Sequence, residues 1–183
     1  MLLQIQRGMS GCSPAPNPAS GITAWNSPVG FAEDWFYNPS ATPVTIESLS
    51  LLDPHNLVLH GGVVYEMPHS QHPLLLQTAW AKEGQGADPV TWAHRQPVRG
   101  AVILAEHVRR TLRSTVYVIV ADISDATRGG GRALGEVVRY RAAGRTYTLK
   151  AEEGMAIGSA LVPIDGSCDA QFKDLSAALV GKS

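Results

Sequence analysis

Arg139-Tyr140-Arg141-Ala142-Ala143-Gly144-Arg145-Thr146-Tyr147-Thr148-Leu149-Lys150 is the stretch that decides the fold. Two short runs alternate bulky apolar with polar residues around a Gly-containing turn, the pattern of a β-hairpin with one buried and one wet face. Side chains alternate across a strand, so Tyr140 and Ala142 share one face while Arg139 and Arg141 take the other. Past the turn, Tyr147 and Leu149 face inward, and Thr146, Thr148 and Lys150 face out. On this reading the tyrosines serve packing and the arginines belong to a wet face.

Working outward, the same grammar recurs. Pro43 to Leu52 reads as a strand in which Val44 and Ile46 fall on one face and Leu49 and Leu51 on the other. That switch of parity requires a β-bulge near Glu47 and Ser48, or a strand buried on both sides further along. Asp53-Pro54-His55-Asn56 carries turn chemistry. Leu57 to His60 resumes the sheet, and Gly61-Gly62 marks a bulge or corner before Val63, Tyr65 and Met67 alternate inward. Trp92 to Val98 is strand-like, with Pro97 pointing to an edge. Thr115 to Ile123 is apolar on both parities, as in a central strand covered on both sides. Ala156 to Ile164 reads as a last strand.

The chain has 183 residues, of which 44% are hydrophobic and only 17% charged, with 18 glycines and 12 prolines. Many turns and few charged helices produce that balance, which favours a β architecture with one sizeable core. About eight turn-punctuated strands predict an all-β fold, an immunoglobulin-like antiparallel β-sandwich. Residues 1–21, with Pro14, Pro16 and Pro18, read as a flexible leader. Residues 22–166 form the sandwich domain. Residues 167–183 read as a tail or short helix, because Phe172, Leu175 and Leu179 keep helical spacing.

The formal net charge of −1 gives no global field for nucleic acid or anionic membrane. Arg109, Arg110 and Arg113 are the densest basic run, and no aromatic ladder accompanies them, so nucleic acid is not expected as a partner. No run of 18 apolar residues spans a membrane. Met9-Ser10-Gly11-Cys12 has the outline of a lipoprotein processing site, but Arg7 and two glutamines interrupt the apolar stretch such processing needs. Cys12 and Cys168 stand one near each end. A disulfide between them is open to an oxidising compartment, although spacing alone does not establish its geometry.

Three segments carry a family resemblance: Pro43 to Pro54, the Thr115–Ile123 strand, and Val138-x-Tyr140 leading to Gly144-Arg145-Thr146-Tyr147-Thr148-Leu149. Together they resemble secreted or envelope proteins of actinobacteria with an immunoglobulin-like β-sandwich. The resemblance spans about Ile22 to Ile164 and implies an extracytoplasmic location, with no catalytic residues to transfer.

The catalytic templates fail on this sequence. No Gly-x-Ser-x-Gly elbow occurs, neither cysteine has a cue for thiolate activation, and Ser70 beside His69 is mere adjacency. Gly129-Gly130-Gly131 follows a strand but lacks the Gly-Lys-Ser/Thr ending of a phosphate loop. Asp122, Asp125, Glu152 and Glu153 read as solvated or turn-forming carboxylates. Met67-Pro68-His69-Ser70-Gln71-His72 is the sharpest metal candidate, since Met67, His69 and His72 together suit copper, with zinc as a lesser option. The expectation is therefore a non-enzymatic, extracytoplasmic binding module with an envelope or protein partner. A small copper carrier is the alternative, and a hydrolase with a dispersed active site is the third reading.

Overall fold

The computed structural model describes residues 4–7, 11–13, 29–31, 35–68, 95–105, 115–152 and 154–158, with single positions at 161, 168, 173 and 177. The described residues are essentially all β. Their strands are Gln4–Arg7 (β1), Gly11–Ser13 (β2), Val29–Phe31 (β3), Trp35–Tyr37 (β4), Val44–Leu52 (β5), Leu57–Pro68 (β6) and Gln96–Pro97 (β7). Val102–Ile103 (β8), Thr115–Asp125 (β9), Gly131–Ala133 (β10), Gly135–Ala142 (β11), Arg145–Ala151 (β12) and Met155–Ile157 (β13) complete them.

These thirteen strands form three sheets, where about eight strands of a two-sheet sandwich were expected. A six-stranded sheet runs β1-β4-β9-β6-β7, with β3 also paired to β9, and a four-stranded sheet runs β12-β11-β5-β8. The third sheet, β10-β13-β2, contains a parallel pair between β13 and β2. The excess over eight comes mainly from pieces of two to four residues, too short to read by alternation. Two of them, β1 and β2, fall inside the 1–21 segment expected as a flexible leader. Partners distant in sequence order them there: β1 pairs with β4, and β2 with β13. The proline-rich part of that segment, 14–18, lies outside the described residues, as do Phe172, Leu175 and Leu179. Lys173 and Ala177 have helical backbone and are exposed.

The opening stretch folds as its alternation demands. Tyr140 pairs with Tyr147 across β11 and β12, and Ala142 with Arg145, leaving Ala143-Gly144 as a two-residue loop. Both loop residues have positive φ, 48° and 76°, the signature of a type I′ turn whose twist matches the strands it joins. The two tyrosine rings stack on the inner face at a centroid distance of 5.5 Å.

The parity switch in β5 is resolved by a bulge. Ser48 pairs with Arg139 and Ile46 with Tyr140, so Glu47 is the extra residue. Two consecutive residues then lie on the outer side, and Val44, Ile46, Leu49 and Leu51 all reach the inner face. A second bulge at His60 in β6 lies between the Leu59–Ile123 and Gly61–Asp122 pairs. Past it, Val64 rather than Val63 or Tyr65 joins the main core, while Tyr65 is buried on the opposite face. Strand β9 is central, with Tyr117 to Ala121 buried on both parities, and Pro97 sits in the edge strand β7.

The facing sides of the two larger sheets make the main core. Phe36, Val64, Tyr117 and Ile119 of one meet Val44, Ile46, Val138, Tyr140 and Leu149 of the other. Close approach is built in: a Cβ on Gly62 would stand 2.6 Å from the Val120 carbonyl oxygen and 3.3 Å from Leu49 Cδ2. A smaller cluster joins Leu57, Ala121 and Ile123 to Ala133, Met155 and Ile157, seating the third sheet at one end. Asn38 ties the opposite end. It is buried, its amide donates to the carbonyls of Thr42 (2.8 Å) and Ile103 (3.2 Å), and its Oδ1 accepts from the Ser40 amide (3.1 Å).

Candidate binding face

The outer face of the four-stranded sheet is where the polar half of the opening hairpin goes. Arg141 lies between Thr146 on β12 and Thr45 on β5, and Arg139 between Thr148 and Ser48. One step further, Val137 lies between Lys150 and Ser50. Residues two apart on a strand are about 7 Å apart along it, so Arg141 and Arg139 on β11, with Lys150 one strand over on β12, make a staggered basic line spanning about 14 Å in the strand direction. Hydroxyl-bearing residues flank it: Thr146 and Thr148 on one side, Thr45, Ser48 and Ser50 on the other. All of these except Thr45, which is half-buried, are exposed.

Glu47 organises this line, and the bulge puts it there. Its Oε2 accepts from Arg139 Nε at 3.2 Å and from Thr146 Oγ1 at 3.4 Å, while its Oε1 lies 3.4 Å from Arg141 Nε. Each guanidinium has five N–H donors in a planar fork, so a contact at Nε leaves most of them uncommitted. Both arginine side chains are 60% exposed, against 25% for Glu47. One carboxylate thus holds two guanidinium groups side by side on a solvent-facing surface. As an energy source such an exposed pair contributes only about 0–1 kcal/mol, so its consequence is orientation rather than stability. The outward-facing positions of these strands carry three cations and one carboxylate, in a chain whose net charge is −1.

The residues singled out for other chemistry are placed differently. Met67 lies near the end of β6, paired with Val116, whereas His69 and His72 lie outside the described residues. Among the described residues no group of three His, Cys, Asp or Glu side chains is placed to hold a metal ion. Cys12, on β2, and Cys168 are joined in a disulfide across a Cα–Cα distance of 6.1 Å. Gly129-Gly130-Gly131 leads into strand β10, not a helix. The Asn56 side chain holds that loop by donating to the Gly130 carbonyl and to Thr127 Oγ1 (2.8 Å).

Two features were not readable in the sequence. The bulge brings His60 Nε2 to 2.7 Å from Ser124 Oγ, across 64 residues of chain. Asp122, two residues before Ser124 on β9, shares its face. Ser124 itself is only 4% exposed. Asp125, expected as a solvated turn residue, is instead 2% exposed at the end of β9 opposite Leu57. Among the described residues no other residue donates a hydrogen bond to its carboxylate oxygens, and burial pushes its pKa up, partly offset by its own backbone amide. The β-parity of Asp125 matches that of Ile123 and Ala121, so inward direction was legible. Depth was not, because the third sheet that covers this end is made of short strands.

Among the described residues no helix is long and apolar enough to cross a membrane. Compared with known proteins, the chain matches no family model, no curated protein and no solved structure.

Proposed function

We propose that this chain is a non-enzymatic binding module, an immunoglobulin-like sandwich working outside the cytoplasm or at the cell envelope. It engages its partner through the outer face of the four-stranded sheet. The observation that carries this reading is Glu47 holding Arg139 and Arg141 together on an exposed surface. A core does not need that arrangement, and a randomly solvated face would not fix two long side chains in one place. The resemblance to actinobacterial envelope proteins and the Cys12–Cys168 bridge support the compartment, since structural disulfides persist in oxidising environments.

The test is co-sedimentation of the disulfide-intact protein with isolated actinobacterial cell envelopes. Wild type is expected in the pellet and Arg139→Gln/Arg141→Gln in the supernatant. Equal sedimentation of both, or of neither, would refute the assignment of this face.

A second reading, a serine hydrolase, is favoured by the His60–Ser124 contact alone. There His60 would take the hydroxyl proton as Ser124 Oγ attacks an ester carbonyl carbon, and would pass it to the departing alkoxide oxygen as the ester C–O bond breaks, with water then hydrolysing the acyl-serine to a carboxylate. Fluorophosphonate labelling that disappears in Ser124→Ala would establish it, and failure to label Ser124 would end it.

A further inference from the structure

The same sheet face narrows the kind of ligand, and this step rests on the reading just given. We infer that the face binds a linear, carboxylate-bearing polysaccharide lying along β11, with acidic groups on the arginines and Lys150 and sugar hydroxyls on the flanking Thr and Ser side chains.

Four observations lead there. First, the cations are spread lengthwise along the sheet: Arg141 and Arg139 follow one another on β11, and Lys150 lies at the next register position, one strand over on β12. A line suits an extended polymer better than a compact anion, which would favour convergent groups. Second, the charge is moderate. Three cations against Glu47 match singly charged groups spaced along a chain, not a dense dianion. Third, hydroxyls flank both arginines, Thr146 and Thr45 beside Arg141 and Thr148 and Ser48 beside Arg139, and Ser50 continues the row at the Lys150 step. Hydroxyls both donate and accept, which is the chemistry a polyol presents. Fourth, the aromatic rings of this sheet are on the wrong side for nucleobases: Tyr140 is buried and Tyr147 stacks on it in the core. Single-stranded nucleic acid would want such rings outward as stacking platforms.

Glu47 already displays the recognition chemistry within the protein. A carboxylate there meets both guanidinium groups, one at 3.2 Å and the other at 3.4 Å. A carboxylate from the ligand would take the outward donors of the same forks, in the planar geometry that guanidinium and carboxylate share.

The experiment is isothermal titration of the disulfide-intact protein with polygalacturonate at low ionic strength, against neutral dextran, poly-L-glutamate and oligo-dT. Saturable binding is expected for polygalacturonate and none for dextran. Arg139→Gln/Arg141→Gln should weaken it at least tenfold, and Lys150→Gln severalfold. Thr146→Val/Thr148→Val should weaken it severalfold while leaving any residual poly-L-glutamate binding unchanged. Each variant lies on an exposed face, and an unchanged melting profile confirms its fold. Absence of polygalacturonate binding would overturn the inference, as would poly-L-glutamate or oligo-dT binding equally well. If polygalacturonate fails while envelopes still retain wild type and release the double arginine variant, only the ligand class falls. If envelopes also fail to discriminate, the sheet face falls with it.

Discussion

Deleting Glu47 should be almost harmless, whereas deleting Ser50, three residues away on the same strand, should not. Both are polar residues on the outer side of β5, and composition would rank the two losses alike. The register separates them. Ile46 pairs with Tyr140 and Ser48 with Arg139, so removing Glu47 closes the bulge and leaves every pairing where it was. Val44, Ile46, Leu49 and Leu51 then alternate inward along a regular strand. The loss is confined to the exposed contacts of Glu47 with Arg139, Arg141 and Thr146, and the expected cost is about 1 kcal/mol or less. Without Ser50 the strand keeps Leu51 and Ile46 in place only by absorbing the bulge and exchanging Leu49 with Ser48. Turning Leu49 outward forfeits up to about 1.5–3 kcal/mol of burial. Forcing the Ser48 hydroxyl into its place costs about 1–3 kcal/mol more. The sum, about 2.5–6 kcal/mol, is a large part of the stability of a typical domain. Urea unfolding followed by far-ultraviolet circular dichroism measures both. Equal costs for the two deletions, or a larger one for Glu47, would refute the bulge assignment and the facing it imposes.

Other expectations follow from single positions. Ala143 holds φ 48° in the hairpin loop, where Asn is better suited, so Ala143→Asn should stabilise by about 0.5–1 kcal/mol in thermal or urea melts. Asp125 has a raised folded-state pKa, so the unfolded chain releases its proton first as pH rises; stability is fully retained below the ordinary carboxylate range and falls from there toward the folded pKa. Asp125→Asn should flatten that decline in urea midpoints measured between pH 3 and 8, and an unchanged slope would show the burial to be wrong. Asn38→Ala removes a buried amide and its bonds to the Thr42 and Ile103 carbonyls, the first of which keeps the Ser40 hydroxyl as a donor, and should cost about 1–3 kcal/mol in the same assay. The Cys12–Cys168 bridge spans 156 residues, so its reduction should lower stability by about 2–5 kcal/mol. A melting temperature indifferent to reductant would count against that bridge.

What was legible in the sequence was what depends on alternation within one strand or across one tight turn. The Tyr140–Tyr147 face, the Glu47 bulge, the edge position of Pro97 and the double coverage of β9 are all of that kind, because the period of two leaves no freedom once a face is buried. Strands too short to show a period were missed, which is why β1 and β2 were read as leader and the third sheet went unseen. Contacts between distant strands were equally hidden. His60 meets Ser124 across the β6–β9 pairing, over 64 residues of chain, and Glu47 reaches Arg139 across 92 residues. For the binding face, the sequence placed Arg139, Arg141, Thr146, Thr148 and Lys150 on one wet surface. The carboxylate that turns that surface into an organised line came from a different strand, and only the fold supplies it.

That the partner covers this line of residues is the assignment on which the proposed function stands. It is tested most directly by phenylglyoxal modification of the arginines, read by peptide mass spectrometry with and without bound envelope fragments. Arg139 and Arg141 are expected to be modified in the free protein and protected when bound, while the exposed Arg128, in the loop between β9 and β10, reacts equally in both. Equal modification of Arg139 and Arg141 in the two states, with envelope fragments demonstrably bound, would contradict it.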